Sequence, residues 1–389
     1  MKSAPTTAGP YRALAWVFAL IMMGTTMPTP LYPYYQEAMG FSPLIITIIF
    51  AIYALGVMLA LVIMGNWSDQ LGRRPLLAAG LLAALASGAA FLLAQGLPAL
   101  LVGRFLSGVS AGIFTATATV AVVELAPPVQ RSRAVFAATA ANMGGLGLGP
   151  MVAGVLAQTL PWTLRMPYLL HSLLIAAALL IVYHLPETVR LPSQIKLGIR
   201  KPGIPSAVRS VFIPAAVAAF AGFAVMGMFT SVAPSLLGEL MGQTRGSVIG
   251  MIVGSVFFAS IMGQAVHQRL PLPWRLPAGC MAMLAGAIVL MAAIQMASVT
   301  GLLVAALLSG AGQGLVFRAG MSGILAASPP DARAGVAASF FLVAYIAISL
   351  PVVGLGALIG LFSLAMAGTL FAALVGLLAL VAAVIVIKR

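Results

Sequence analysis

The sequence predicts an all-α membrane protein: twelve transmembrane helices in two pseudo-symmetric six-helix halves. Three observations lead there. Apolar residues make up 62% of the 389 positions and charged residues only 7%, more apolar surface than a water-soluble core of this size can use. The apolar runs have bilayer length, about 20 residues each. They lack the alternating pattern of a membrane β-barrel. A register of prolines, glycines and acids also recurs about half-way along the chain.

The runs divide into spans at roughly 13–35, 43–65, 75–96, 98–123, 134–159, 166–185, 211–237, 246–267, 275–296, 299–325, 334–358 and 361–387. The net charge of +14 has an explanation in orientation. With the amino terminus inside, 16 of the 20 Lys and Arg fall on the cytoplasmic side. Arg165 and Arg245 lie outside, and Arg104 and Arg318 lie within spans. This is the positive-inside bias, so both termini are expected in the cytoplasm and nucleic acid is not an expected partner. The single cysteine, Cys280, excludes an intramolecular disulfide and reads as a small packing residue. The start, residues 1–10, is short and polar without a credible cleavage site, so span 1 is expected as a helix rather than a signal peptide.

Taken in order, span 1 ends in a proline-dense stretch, Pro28, Pro30 and Pro33, which must open the helical ladder. A bilayer tolerates that only where the freed carbonyls face protein or water. Glu37 and Gly40 follow, and span 7 ends likewise with Pro234, Glu239 and Gly242, an offset of 202 residues between the glycines. Pro127-Pro128 before span 5 matches Pro329-Pro330 before span 11, and Pro150 within span 5 matches Pro351 within span 11. The expected domains are therefore residues 1–185 and 211–389. Between them lies a cytoplasmic linker, 186–210, rich in proline and basic residues, with or without a short surface helix.

Between spans 2 and 3 lies Gly65-Asn66-Trp67-Ser68-Asp69-Gln70-Leu71-Gly72-Arg73-Arg74. Spelled G-x-x-x-D-x-x-G-R-R, it resembles the loop between helices 2 and 3 of the major facilitator superfamily of secondary transporters. That family's layout is also two parallel six-helix halves with the substrate site between them near mid-membrane. The resemblance implies a gate: Asp69 set against the start of helix 11, and Arg73 reaching an acid at the inner end of helix 4, here Glu124. Gly65 and Gly72 would permit the tight turn, and Arg74 completes the motif. Topology alone would explain the arginines but not Asp69. In the second half, Gly263 is kept but His267 stands where an acid would be, so the latch is expected on one side only.

Span 4 carries Arg104 and Gly108, similar to the family's R-x-x-x-G motif, whose arginine is linked there to proton transfer. A structural arginine bonded to span 1 carbonyls, or one snorkelling outward, fits the same residue. Span 5 carries Gly145, Gly149, Pro150 and Gly154, with Ala153 in place of one glycine. This resembles the family motif that marks exporters running as antiporters. Tight packing of small residues is the alternative explanation of the glycines.

Arg318 lies well inside span 10, where a charge costs roughly 2.5–3.5 kcal/mol on the insertion scale. All six acids, Glu37, Asp69, Glu124, Glu187, Glu239 and Asp331, fall at span ends or in loops. Arg318 must then use carbonyls, Gln313, water or a substrate anion. Family members that export lipophilic cations often carry an acid deep in helix 1; this chain has none, which favours a neutral or anionic substrate. The candidate substrate or proton residues are Thr26, Tyr53, Arg104, Asn142, Gln313, Arg318 and Tyr345, with Thr25, Phe229, Phe257 and Phe317 as further mid-span positions. His171 near the outer end of span 6 can titrate or simply be a satisfied helix-end histidine.

No metal cluster, nucleophile–base pair or nucleotide loop is legible, so no enzyme and no cofactor is expected. The resemblance implies a drug/proton antiporter in a bacterial cytoplasmic membrane, working as a monomer on a small molecule and protons. Glu37, Glu239, Asp69 or His171 would carry the proton, or none would. An uptake symporter on the same fold, or a transport-inactive sensor, remains as an alternative.

Overall fold

The computed structural model describes residues 8–199, 202–330 and 332–387. Of the charges used above, Lys2, Arg200, Lys201, Asp331, Lys388 and Arg389 lie outside the described residues. The described regular structure is helical throughout, and twelve helical spans are long and apolar enough to cross a bilayer. They are α1 (Gly9–Met39), α2 (Pro43–Met64), α3 (Arg73–Leu92), α4 (Leu97–Glu124), α5 (Pro128–Thr159) and α6 (Met166–His184). In the second half they are α7 (Ser206–Ser231), α8 (Gly246–Arg269), α9 (Leu272–Gln295), α10 (Val299–Ala327), α11 (Arg333–Leu361) and α12 (Leu364–Ile387). Even α6, 19 residues long, extends about 28 Å at 1.5 Å per residue, close to the bilayer's apolar thickness. Leu180, Leu350 and Leu374 stand exposed on these spans, as side chains facing lipid must.

Local chemistry explains the ends. At α2, Ser42 accepts from the Ile45 N–H, and Pro43 takes the first helical position, where no donor is needed. At α10, Ser298 caps Gly301 in the same way. The prolines of α1 do open its ladder. The α-helix stops at Thr26, a 3-10 turn covers Thr29–Leu31, and a helix resumes over Tyr32–Met39. α7 is followed by a short helix at Ala233–Ser235 and a π turn at Leu236–Leu240. Both irregular stretches end at a glycine in the left-handed region, Gly40 at φ 67° and Gly242 at φ 65°. The repeat read from residue types therefore extends to the backbone. Pro150 and Pro351 likewise both sit inside helices. The described part of the linker contains no helix before the 3-10 turn at Ser206–Val208, so a surface helix is not part of it.

Two seams join the halves, α5 along α8 and α2 along α11. At the end of the bundle away from the linker, α5 and α8 close backbone on backbone, and α11 closes on a side chain of α2. A side chain at Gly154 would fall on the Gly246 carbonyl, one at Gly250 on the Pro150 carbonyl, and one at Gly356 on the Thr47 hydroxyl. Three hydrogen bonds among the described residues also cross between the halves there: Gln158 accepts from the Ser247 hydroxyl at 2.7 Å and from its N–H at 3.3 Å, and Gln36 accepts from the Ser235 hydroxyl at 3.5 Å. Without a hydrophobic gradient between helix and lipid, close contact of small residues is what holds such seams.

Overpacking costs about 1–3 kcal/mol, enough to move a two-state population about ten-fold. Gly250→Val is therefore expected to open the far end, raising the maleimide labelling rate of a Q158C probe on a C280A background about ten-fold. Unchanged labelling would show that the glycine seam does not set the closure.

Candidate functional site

A cavity of about 350 Å³ lies between the halves. Its walls come from α1, α2, α4, α5, α7, α8, α10 and α11, while α3, α6, α9 and α12 contribute no lining residue. The lining reaches Gly65, Val120, Ala138 and Ala334, all near the linker-side ends of their helices, so the cavity opens toward the linker. The glycine seams shut it at the far end.

Six of the seven candidate residues line this space: Thr26, Tyr53, Arg104, Asn142, Arg318 and Tyr345. Gln313 does not. It is 1% exposed, accepts from the Ser260 hydroxyl at 2.7 Å, and leaves Gln264, which also bonds Ser260, to face the cavity. Helical spacing accounts for the swap, since Ser260 and Gln264 are one turn apart on α8. Phe229 is fully buried away from the cavity, while Thr25, Phe257 and Phe317 line it. The sequence reading missed Thr115 and Thr119, which stand four residues apart on one face of α4 and line the wall. Their spacing within an apolar span was the available signal.

The two intramembrane arginines differ. Arg104 is 1% exposed and donates to the carbonyls of Thr25 at 2.6 Å, Ile49 at 3.3 Å and Phe50 at 3.5 Å. Its guanidinium also lies 4.9 Å from the Tyr53 ring centre. The broken ladder near Pro28 leaves the Thr25 carbonyl free to accept. Arg318 is half-buried and makes no hydrogen bond or ion pair among the described residues. Next to it, Phe317 packs on Phe223 and Phe341 at 5.7 and 6.0 Å between centroids, giving an aromatic wall beside a cation.

At the linker end of the first half, Arg73 gathers the acids. It holds Glu124 with two bonds of 3.0 and 3.1 Å and Asp69 at 2.7 Å. Asp69 itself is half-exposed and pairs within its own loop. Gly65 has ordinary right-handed backbone, so that turn does not need a glycine. Gly72, at φ 103°, does need one, and a side chain there would also strike the Glu187 carboxylate. Arg74 turns away to the Tyr183 carbonyl.

Glu187 was not singled out from the sequence, although Pro186-Glu187-Thr188 directly follows α6. Its carboxylate accepts from the N–H groups of Arg73 at 2.9 Å and Arg74 at 3.0 Å, satisfying the start of α3, where a helix favours an anion. The adjoining Thr188 donates to Glu124 at 2.6 Å. Burial alone would push the Glu187 carboxyl up. The N–H groups of Arg74, Arg73, Val189 and Thr188 outweigh it and hold the carboxyl below the usual range.

In α5, side chains at Gly145 and Gly149 would meet the α1 carbonyls of Ala19 and Met23, whereas Gly154 faces α8. The motif thus packs one helix against both its own half and the other. In the second-half loop His267 is 4% exposed and Gly263 abuts the Ala311 carbonyl.

The sequence profile of the Major Facilitator Superfamily matches residues 14–351. The chain belongs to that superfamily. It is 26% identical over 149 residues to quinolone resistance protein NorA of Staphylococcus aureus, covering 38% of each chain. It is 26% identical over 177 residues to multidrug resistance protein 2 of Bacillus subtilis (strain 168), covering 45% of this chain and 44% of that one. The matched stretch thus spans less than half the length of these relatives. A bacterial homologue of the human lysosomal transporter Spinster, inward-facing and unoccupied, shares the fold with a TM-score of 0.75 at 16% identity, over 98% of this chain and 97% of that one. This major facilitator protein is an integral membrane transporter and not an enzyme.

A carboxyl held low in the fold contributes stability above its unfolded value and loses it as pH falls through its folded value. Glu187→Gln is therefore expected to destabilise the protein by about 1–3 kcal/mol at neutral pH, with the gap closing in acid. Tryptophan fluorescence melts across pH test this; a gap that persists in acid would show that the carboxylate charge is not what caps α3.

Proposed function

We propose that this protein exports a small amphipathic molecule, neutral or anionic, in exchange for protons by alternating access. The observation that carries the reading is the cavity between the halves. It is walled by aromatic and threonine side chains, holds one unpartnered arginine, Arg318, and has no acid among its lining residues. A neutral or anionic guest suits that field, because an unpaired cation in a low-dielectric wall repels another cation. Export is supported by the glycine–proline motif of α5 and by the resistance-protein names of the two partial relatives.

The positive-inside bias assigns the linker end to the cytoplasm, which makes the described state inward-facing. The halves, 1–185 and 211–389, rock about the cavity, with 186–210 as the tether. When the inner side closes, Asp69 leaves solvent for the positive start of α11 while Arg73 stays braced on Glu124. The family's latch is in this sense loaded on the first half only.

Proteoliposomes with an internal pH dye, screened with cationic, neutral and anionic compounds, test the reading. Opposite fluxes of compound and protons are expected; parallel fluxes would make the protein an uptake symporter. Arg318→Ala is expected to weaken binding of an anionic substrate about ten-fold or more, the worth of one charge-assisted hydrogen bond. Arg104→Ala should act first on folding, since its partners are backbone carbonyls. Equal binding losses in the two variants would remove Arg318 from the site. Asp69→Asn is expected to slow transport several-fold with unchanged melting, and wild-type flux in that variant would refute the latch.

A further inference from the structure

A second, much smaller cavity, about 20 Å³, lies inside the first half among α1, α3, α4 and α6. Its size admits one water, which needs roughly 10–15 Å³ and two to four polar partners. Those partners are present. Ser110 lines the cavity, is 1% exposed, and its hydroxyl has no hydrogen-bond partner. Ser107 and Tyr168 also line it, and so does His171.

The imidazole is deliberately accommodated. A side chain at Gly24 would overlap the His171 ring, and one at Gly88 would overlap the neighbouring Ser172 hydroxyl. His171 Nε2 lies 2.9 Å from the Leu20 carbonyl. A carbonyl only accepts, so Nε2 carries the hydrogen and Nδ1 is the ring's acceptor. Toward the far end, the Tyr168 hydroxyl meets the Tyr35 hydroxyl at 3.4 Å, and both residues are 3% exposed.

We propose that this cavity is a proton-binding site in which His171 Nδ1, through one water held by Ser110, takes up a proton passed inward along Tyr35 and Tyr168. Each hop breaks one O–H bond and forms the next; the net change is imidazole plus a proton to imidazolium. The charged ring strengthens the Nε2–H bond to Leu20. That segment of α1 runs directly into Thr25 and Thr26, which line the transport cavity, so the proton is felt there. The charged or titratable groups facing the site are few. α6 brings Tyr168, the far end of α1 brings Tyr35 and, beside it, Tyr32, and α3 brings only Ala84, Ser87, Gly88 and Phe91. α4 carries Arg104 one turn from Ser107, its guanidinium bonded to the Thr25 carbonyl. None of the lining residues is a carboxylate.

The site stands by itself; its place in the transport cycle rests on the proton-coupled reading above. The chain has three histidines, so ¹⁵N-histidine spectra of the full protein resolve them, and His171→Gln assigns the signal. The His171 ring is expected to titrate while the protein stays folded, with Ser110→Ala moving the midpoint by about half a unit or more. A ring that never titrates, or a midpoint indifferent to Ser110→Ala, would overturn the site. In proteoliposomes, His171→Gln is expected to keep substrate counterflow and lose proton movement. Wild-type proton movement in that variant would overturn the coupling role alone. If the native protein moves no protons while His171 titrates, the site stands and antiport falls.

Discussion

Close approach of helix backbones at glycine is the constraint on which the architecture depends. In lipid there is little hydrophobic gain in bringing two apolar helices together, so contact must come from packing. Gly154, Gly246 and Gly250 let α5 and α8 meet carbonyl against backbone, and Gly356 makes room on α11 for the Thr47 side chain of α2. Because these positions cluster at one end, the halves are pinned there and spread at the other. The direction in which the cavity opens is thus a consequence of where the seams lack side chains. The same economy recurs inside the first half, where Gly24 makes room for the His171 ring.

Charge is scarce, and its distribution separates structural from available groups. Three of the six acids, Asp69, Glu124 and Glu187, gather around the backbone and side chains of Arg73 and Arg74. Arg73 is thereby buried although Asp69 and Glu124 keep contact with solvent, while Glu187 ties the first residues of the linker to the same helix start. The linker and the α2–α3 loop are thus joined directly, and Lys196 adds a bond from its N–H to the Gln70 side chain. Within the spans, Arg104 has exchanged water for three carbonyls that the interrupted α1 and the neighbouring α2 supply. Arg318 has made no such exchange. The contrast between two residues of one type shows why burial of a charge by itself does not identify a binding group.

Much of the fold was legible because the bilayer limits the choices. Spans of bilayer length must be helices, and the 202-residue register of Pro, Glu and Gly exposes the duplication before any coordinate is known. Gly40 and Gly242 then share a left-handed backbone because equivalent turns impose equivalent sterics. The loop motif placed Asp69, Arg73 and Arg74 by pattern, but the acid that caps α3, Glu187, comes from 114 residues along the chain. No local pattern reports such a contact.

Rotation of each helix about its axis was the information missing from the cavity. Gln313 lies at the middle of α10 and Gln264 near the linker-side end of α8, yet only Gln264 faces the space, because α8 and α10 pack through Gly314 against the Ser260 carbonyl. The sequence by itself determined the helices, their number, the two-fold repeat and the sparsity of charge, since each follows from hydropathy and spacing along one chain. Only the tertiary structure decided which end is closed, which arginine is satisfied and which histidine lies beside an unpartnered hydroxyl. Those depend on contacts between helices, and a lipid-embedded helix of uniform hydropathy carries little record of which face it turns to its neighbours.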